Sequence, residues 1–243
     1  MKDDLSHILT ALGENREDYY NAVSPVIAQT SNFSFKTVAE MRTALQDEFG
    51  TPFYTRGFNP TVNILRQKLA ALEGCEDALV CGSGSAAVST AVMGFLKAGD
   101  HLICVQKPYS WTYKLLNGML RRFGVETTFI DGSEIQNFEA ALQPNTRMVF
   151  IESPNSMTFE MQDIRAVTAF AKRNSLISLI DNSYASPLFQ KPHLMGIDLV
   201  VHSATKFLNG HSDVVAGAIC GSKAHIQQLL SLIHISEPTR QAE

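Results

Sequence analysis

Residues 77–100, DALVCGSGSAAVSTAVMGFLKAGD, contain the pattern that decides the fold. A short apolar run leads into a glycine-containing turn, and an alanine-rich segment with helical composition follows and closes at Gly99. An apolar strand that turns directly into a helix is the building unit of α/β proteins. The stretch therefore predicts one such unit, and the rest of the chain shows whether the unit repeats.

The alternation of helix-like and strand-like segments continues on both sides of this stretch. TVNILRQKLAALEG (61–74) has apolar residues at helical spacing and ends at Gly74, a residue suited to a helix C-cap. Strands that are buried on both faces and separated by helices predict a mostly parallel α/β sheet. The other strand-like runs are HLICV (101–105), VETTFI (125–130), RMVFIE (147–152), LISLID (176–181) and DLVVHS (198–203).

The two ends of the chain do not show this alternation. Residues 1–60 are irregular and rich in aromatic side chains, and they predict a short helix followed by an arm outside the sheet. The stretch LSLIHISEPTRQAE (230–243) matches, through Arg240, the translation of a common transposon-end sequencing adapter; a natural amphipathic tail is the alternative. We therefore assign the α/β domain to residues 61–229 and predict that the native gene continues beyond Leu229 with other sequence.

Composition and charge exclude several classes of function. The chain has 243 residues, 45% of them hydrophobic and 18% charged, with a net charge of -4, which gives no reason to expect nucleic acid or an anionic membrane as partner. No apolar stretch approaches the roughly 20 residues that span a bilayer, and the acidic start lacks the apolar region of a signal peptide. The four cysteines are scattered, so we expect a cytoplasmic protein with reduced thiols and no zinc site.

The turn inside the opening stretch is a candidate phosphate site. A strand passes through residues 82–85 (GSGS) into a helix, so unpaired backbone N–H groups and the positive end of the helix face one point. A tight turn that binds nothing needs the same glycines, so both interpretations stay open on this segment alone. The dinucleotide motif G-x-G-x-x-G does not apply, because it requires glycine where the chain has Ala87.

Asp181 ends the apolar run of LISLIDNSYASP (176–187), at the edge where open α/β sheets bind their ligands. A carboxylate in that position needs a cation or a protonated ring nitrogen as partner. The alternative is an aspartate that caps a helix or turn ahead of Asn182.

Lys206 lies in HSATKFLNGHSDVVAGA (202–218), directly after another apolar run. A surface loop would explain a lysine here. A lysine that is desolvated at a strand end, however, loses pKa and becomes a nucleophile able to form a Schiff base. The hydroxyls of Ser203 and Thr205 lie on either side of Ala204 and are able to donate to an anion.

Two glycines and two histidines of this segment have structural interpretations. Gly210 and Gly217 permit tight turns or a close approach of the backbone. His202 and His211 lack acidic or thiol companions at ligand spacing, so we interpret them as packing or hydrogen-bonding residues rather than metal ligands.

A phosphate site, a strand-end acid and a strand-end lysine together indicate one ligand, pyridoxal phosphate (PLP). The turn at 82–85 would anchor the phosphate, Asp181 would hold the pyridinium proton, and Lys206 would bind the aldehyde carbon.

The segments that define this ligand resemble the Cys/Met-metabolism (transsulfuration) family of PLP enzymes, which includes cystathionine γ-synthase, cystathionine β-lyase, cystathionine γ-lyase and methionine γ-lyase. The lysine segment is similar to the family's lysine motif almost throughout, and so long a match is highly specific. The resemblance implies the large domain of a fold type I (aspartate aminotransferase-like) PLP transferase, with a small C-terminal domain missing. The similar segments are YTRGFNPT (54–61), LEGCEDALVCGSGSAAV (72–88), IDNSYASP (180–187) and 202–218, within a similarity from about Val23 to about Leu229.

The resemblance also implies residue roles by position. Lys206 would form the Schiff base and take the Cα proton, Asp181 would pair with the pyridine nitrogen, and Tyr109 would stack on the ring and assist proton transfer. The remaining cofactor ligands would be Gly84, Ser85 (where the family often has Met), Ser203 and Thr205 on the phosphate, and Tyr54 and Arg56 on the phosphate of a neighbouring subunit.

The implied reaction is β- or γ-elimination on cystathionine-like amino acids, because ESPNSM (152–157) is closest to the β-lyase branch. FNPT (58–61) is closer to the synthase and γ-lyase branches, so γ-replacement, as by a cystathionine γ-synthase or O-acyl-homoserine sulfhydrylase, stays an alternative. An inactive PLP-binding fragment and a transaminase also stay open. The resemblance further implies dimers with shared active sites that pair into a tetramer, and a substrate-binding arginine in the absent domain.

Overall fold

Seven short strands form the centre of the molecule in the computed structural model, which describes residues 4–236. Residues 237–243, the last part of the predicted adapter-derived tail, and residues 1–3 lie outside the described part. The strands are β1 (Asp77–Cys81), β2 (His101–Val105), β3 (Glu126–Ile130), β4 (Thr146–Glu152), β5 (Ile177–Asp181), β6 (Leu199–His202) and β7 (Gly217–Gly221).

Helices precede and follow most of these strands. A π-helical turn at Leu115–Met119 joins two of them, and 3₁₀ turns lie at Arg16–Tyr19 and Pro192–Met195. Within residues 4–236, no helix is both long enough and apolar enough to cross a bilayer. The α-helices are α1 (Leu5–Thr10), α2 (Val38–Ala44), α3 (Pro60–Glu73), α4 (Gly84–Met93), α5 (Ser110–Lys114), α6 (Leu120–Arg122), α7 (Ile135–Ala140), α8 (Ile164–Arg173), α9 (Ser186–Phe189) and α10 (Lys223–Ser236).

The strands lie in the order β1-β7-β6-β5-β4-β2-β3. All neighbours from β6 to β3 are parallel, and β7 is antiparallel to both β1 and β6. The predicted fold class, a mostly parallel α/β sheet between helices, is therefore confirmed. Because the crossovers between parallel strands are helical, both faces of the sheet are covered.

Alternation along the strands decides which face of the sheet each side chain packs on. Leu179 and Val201 pack on the face covered by α4 and α10, and Ile180 and Val200 pack on the face covered by α3 and α8. These four side chains are fully buried, and each such burial contributes about 1.5–3 kcal/mol. The same alternation puts Asp181 on the face of α4. It puts Asn182 and His202, which stand two positions after Ile180 and Val200, on the face of α3.

The predicted C-cap at Gly74 is confirmed. Helix α3 begins with Pro60 after Asn59, whose side-chain oxygen accepts from the N–H groups of the first turn. It ends at Gly74 with φ 73°, a left-handed conformation that favours glycine.

Strand β7 is the one element of the sheet that the sequence pattern does not predict as a strand. Its sequence, GAICG, is short and has a glycine at each end, which resembles a turn. The close backbone approach expected at Gly217 is present, since a Cβ there would collide with the Ser83 carbonyl. The turn expected at Gly210 is present as well, with φ 74°.

The described residues before α3 contribute no strand to the sheet. Helix α1 lies in the region where the sequence predicts a short helix, and it is held to α3 by Lys68, whose Nζ donates to the Leu9 carbonyl at 2.9 Å. A single β-bridge pairs Asn32 with Tyr54. The expected contacts of this arm with another subunit stay a prediction.

Candidate active site

The carboxyl ends of β4, β5 and β6 bring polar side chains to one edge of the sheet. Glu152, Asp181 and His202 are the last residues of these strands, and Glu152 pairs with Asp181 in strand register. Parallel strands end at a common edge, and that edge is where α/β sheets bind ligands. The structure thus places Asp181 at the strand end, where the sequence puts it.

The Asp181 side chain is a half-buried carboxyl. Its Oδ1 accepts from the Ser183 N–H at 2.9 Å. Burial raises the pKa of Asp181, and the hydrogen bonds from Ser183 and the nearby His202 oppose this shift. No ion pair among the described residues includes Asp181. A positively charged partner such as a protonated ring nitrogen would offset the cost of burying its charge.

Ser183 connects the loop after β5 to the loop after β6. Its Oγ accepts from the Ser203 N–H at 2.6 Å, while its own N–H binds Asp181. The Ser203 side chain in turn lies against Gly84, since a Cβ on Gly84 would be 2.6 Å from the Ser203 Cβ and 2.7 Å from its Oγ. The predicted acid, the predicted phosphate loop and the predicted hydroxyl are therefore contiguous.

The start of α4 has the free donors that a phosphate needs. Ser83 caps the helix, and its Oγ accepts from the Ala86 N–H at 3.0 Å. The first intrahelical bond runs from the Ala87 N–H to the Ser83 carbonyl at 3.0 Å. The N–H groups of Gly84 and Ser85 have no partner within the helix, as expected at a helix start, and they point at one spot together with the helix dipole.

Lys206 lies in the turn after β6, where its backbone N–H donates to the Ser203 carbonyl at 3.0 Å. The lysine is exposed in the described chain. The expected desolvation of this amine is therefore not provided by residues 4–236 alone. The physical reason is that nothing in this part of the chain covers the turn from the solvent side.

Thr205 is arranged differently from Ser203. Its hydroxyl donates to the Ala216 carbonyl at 3.1 Å and accepts from the Ala216 N–H at 3.0 Å. The single hydroxyl proton of Thr205 is thereby directed at Ala216, the residue before β7. Ser203 Oγ makes no hydrogen bond in the part of the chain that the structure describes, so it is the hydroxyl that is free to donate to an anion.

Tyr109 precedes α5 at the same edge of the sheet and is 42% exposed, so a face of its ring is accessible. Its backbone N–H donates to Glu152 Oε2 at 2.7 Å, and Glu152 Oε1 accepts from the Ser156 N–H at 2.7 Å. Burial raises the pKa of Glu152, the Asp181 carboxyl raises it further, and the bonds from Ser156 and Tyr109 oppose this.

A buried polar cluster ties the strand ends together on the opposite face. Glu73 of α3 accepts at Oε1 from Asn182 Nδ2 at 3.0 Å and from His202 Nε2 at 2.6 Å. Gln190 Nε2 donates to Asn182 Oδ1 at 2.9 Å and to the Ser153 carbonyl at 2.7 Å. The interpretation of His202 as a hydrogen-bonding residue is confirmed, and the cluster holds the ends of β4, β5 and β6 in register.

Tyr54 and Arg56 lie apart from the other predicted site residues. The Arg56 guanidinium stacks over the Tyr54 ring at 4.8 Å. Arg56 also lines a small cavity of about 70 Å³ with Arg66 and Leu79, next to α3 and β1. Within one chain, these two side chains are therefore not brought to Asp181 and Lys206.

The residues at this edge fit PLP. The N–H groups of Gly84 and Ser85 and the Ser203 hydroxyl suit its phosphate, and the absence of a side chain on Gly84 lets the start of α4 lie directly against Ser203. The half-buried carboxyl of Asp181 suits its ring nitrogen, and the exposed amine of Lys206 suits its aldehyde. Ser183 and Glu152 belong to the same site, although sequence reasoning does not single them out; their one signal is that each stands at or just after a strand end.

Comparisons with known proteins agree with this reading. The family model for Cys/Met metabolism PLP-dependent enzymes matches residues 7–237. L-methionine gamma-lyase of Pseudomonas putida is 36% identical over 217 residues, which are 89% of this chain and 54% of that protein. Cystathionine beta-lyase MetC of Staphylococcus haemolyticus is 39% identical over 220 residues, which are 90% of this chain and 54% of that protein.

The solved structures include a similar fold. The crystal structure of metB from Corynebacterium glutamicum matches with a TM-score of 0.88 and 31% identity, covering 96% of this chain and 59% of that chain. The chain spans about half the length of the curated relatives it matches. The family model covers nearly all of the present chain, so the chain belongs to the Cys/Met metabolism family of PLP-dependent enzymes.

Proposed function

We propose that the native protein is a PLP-dependent carbon–sulfur lyase that acts by β- or γ-elimination on sulfur amino acids such as cystathionine. The observation that supports this most directly is the continuous contact from Asp181 through Ser183 and Ser203 to Gly84. It joins a ring-nitrogen partner to a phosphate cradle, and Lys206 follows on the same turn.

The residues of this chain would hold the cofactor at three points. The N–H groups of Gly84 and Ser85 and the Ser203 hydroxyl would bind the phosphate, Asp181 would hold the proton on the ring nitrogen, and Tyr109 would cover the ring. Thr205 would orient the turn through Ala216, or reach the phosphate after its hydroxyl rotates.

Lys206 would bind the cofactor aldehyde carbon and later move the substrate Cα proton. Bound PLP supplies an electron sink for the Cα carbanion, so that a thiolate on Cβ or Cγ is able to leave. An amine beside Cα is suited to take up and return that proton. The Tyr109 hydroxyl would assist proton transfer to the leaving group.

Elimination is favoured over replacement by the relatives and by one position in the site. Both named relatives described above are lyases. Ser156, which follows β4, has a buried hydroxyl without a hydrogen-bond partner among the described residues. A small hydroxyl at this position is what the resemblance to the β-lyase branch is based on.

The complete protein would add what this chain does not contain. We propose a second, C-terminal domain beyond Leu229 that binds the substrate carboxylate, since the chain spans about half of its relatives. We further propose dimers, paired into a tetramer, in which Tyr54 and Arg56 reach the neighbouring subunit's phosphate. A groove of about 380 Å³ between α4 and α5 opens beside Ser85 and has room for such side chains. The four free thiols suit a cytoplasmic location.

The test starts from the complete gene, resequenced across the junction at Leu229. The purified product with added PLP should show a visible absorption band, and borohydride should fix the cofactor at Lys206. Incubation with cystathionine, methionine and cysteine should release keto acid, ammonia and thiol from at least one of them. A product that stays colourless with PLP, or one that forms pyridoxamine phosphate instead of keto acid and thiol, contradicts the proposed lyase.

A further inference from the structure

Glu152 is a buried carboxyl at this site that the roles described so far do not use. The residue ends β4 and is 3% exposed. Its two oxygens each accept from a backbone N–H group, Oε2 from Tyr109 and Oε1 from Ser156, both at 2.7 Å. No ion pair among the described residues includes Glu152. These two short charged hydrogen bonds are therefore the interactions that offset its burial.

The two bonds join two separate segments of the chain. Tyr109 is the N-cap residue of α5, and Ser156 belongs to the turn after β4. A second link joins the same segments, since Asn155 Nδ2 donates to the Lys107 carbonyl at 2.8 Å. Asn155 Oδ1 accepts from N–H groups later in its own turn, which makes that turn a fixed support. Of the two links, the one from Glu152 binds Tyr109 itself.

We propose that Glu152 is a positioning residue that fixes Tyr109 over the PLP ring by accepting its backbone N–H. The inference rests on the proposed function, which puts Tyr109 against that ring. Glu152 lies beside Asp181 in strand register. Its bond to Tyr109 would therefore fix the position of the residue that stacks on the ring relative to Asp181, which would bind the ring nitrogen. Both oxygens must accept, and an amide in their place would turn an N–H donor toward one of the two backbone donors.

Trp111 provides a readout that a purely structural role would not move. It is the only tryptophan in the 243 residues and lies in α5, two positions after Tyr109. PLP bound at Lys206 absorbs in the visible range, so energy transfer from Trp111 reports the distance between α5 and the cofactor. The experiment uses the complete gene product, in which any tryptophan beyond Leu229 is replaced by phenylalanine.

Glu152→Gln should lower the efficiency of transfer from Trp111 to PLP. It should also weaken PLP binding by about tenfold, the effect expected from one lost hydrogen bond to a charged group. Glu73→Gln is the matched control, because Glu73 is fully buried and also accepts two hydrogen bonds, but its partners lie on the other face of the sheet. Both bonds use Oε1, whereas Oε2 has no partner among the described residues, so an amide keeps them and this control should retain the wild-type transfer efficiency and PLP affinity.

Glu152→Asp keeps the inference testable if Glu152→Gln does not fold. The charge remains, but the shorter side chain does not reach both N–H groups, so transfer and affinity should fall in the same direction by a smaller factor. Wild-type transfer and affinity in whichever of these variants folds would overturn the inference, and so would an equal loss of transfer in Glu73→Gln. A wild-type protein that borohydride does not fix at Lys206 refutes the proposed function, and the inference with it, before any variant is compared.

Discussion

The Ser183 hydroxyl accepts a hydrogen bond from the Ser203 N–H at 2.6 Å and so joins two loops that are 20 residues apart in the chain. One loop follows the strand of Asp181, and the other leads to Lys206. The distance between Asp181, the proposed partner of the ring nitrogen, and Lys206 therefore depends on a side chain that is not among the proposed cofactor ligands.

Ser183→Ala should weaken PLP binding by roughly tenfold and lower the free energy of unfolding by about 1 kcal/mol, because it leaves the Ser203 N–H without an acceptor. Ser183→Thr keeps the hydroxyl and serves as the control. Spectroscopic titration with PLP and thermal unfolding measure the two effects. Equal PLP affinities in the Ala and Thr variants would show that the loop junction does not depend on this bond.

Gly84→Ala should lower the affinity for PLP by more than about tenfold, while the protein still folds. The new Cβ would lie 2.6 Å from the Ser203 Cβ and would push Ser203 off the phosphate cradle. Gly82→Ala is a matched control two residues away, since its Cβ would meet nothing within 4 Å. Titration with PLP distinguishes the two, and similar affinities in both variants would contradict the crowded cradle.

Asp181→Asn should stabilise the cofactor-free protein at neutral pH, by about 1 kcal/mol, while it removes PLP binding. Burial raises the pKa of Asp181 above its usual 3.8, so the folded state holds this proton more tightly than the unfolded state does. The wild type is therefore most stable relative to the variant below that usual value, and it loses this stability as pH rises through the raised pKa. Urea unfolding of both proteins from acid to neutral pH measures the difference, which should increase with pH and then level off; a constant difference would argue against a destabilised charge.

Tyr109→Phe should keep PLP bound, since both the ring and the backbone N–H to Glu152 remain. Elimination should slow by roughly 100-fold if the hydroxyl transfers a proton, the usual scale of acid–base assistance. Release of keto acid measures the rate, and PLP absorbance provides the control for binding. Wild-type rates in this variant would refute the proton role.

Mixing two inactive variants tests the shared site. Arg56→Ala and Lys206→Ala should each abolish elimination in the complete protein. After subunit exchange, about half of the dimers contain one of each chain, and one of their two sites is intact, so about a quarter of the wild-type activity should return. Activity that stays absent after exchange, with mixed dimers demonstrated by mass, would show that Arg56 serves its own subunit.

Much of the sheet follows from local pattern. Most of the parallel strands are apolar runs of the kind that burial on both faces requires, and each is found where the pattern puts it; β3, at the edge of the sheet, is the more polar ETTFI. Strand β7 is different, because its glycines are selected by the contact of Gly217 with Ser83 and by Gly221, where a Cβ would lie 2.8 Å from the Asp198 carbonyl. Such contacts arise only when the strands are assembled, so glycine there looks like a turn in the sequence.

In the candidate site, too, local sequence predicts some residues and not others. Asp181, Lys206 and the turn at 82–85 are recognisable because their residue types conflict with the apolar runs that they follow. Glu152 and Ser183 act on partners that are 43 and 20 residues away, which no local pattern reveals. The exposure of Lys206 depends on what surrounds the turn in the assembled protein rather than on the turn itself.

The position of β7 between β1 and β6 determines when the two halves of the site meet during synthesis. Helix α4 follows β1 and the lysine turn follows β6, but in the described sheet these strands are joined only through β7, the last of its seven strands in the sequence. Until residue 221 has emerged, the turn at 82–85 and Lys206 belong to parts of the nascent chain that no shared sheet joins. Translation therefore completes this edge of the sheet only when β7 has emerged, and a ribosome stalled before β7 would present a chain that we expect to be unable to bind PLP.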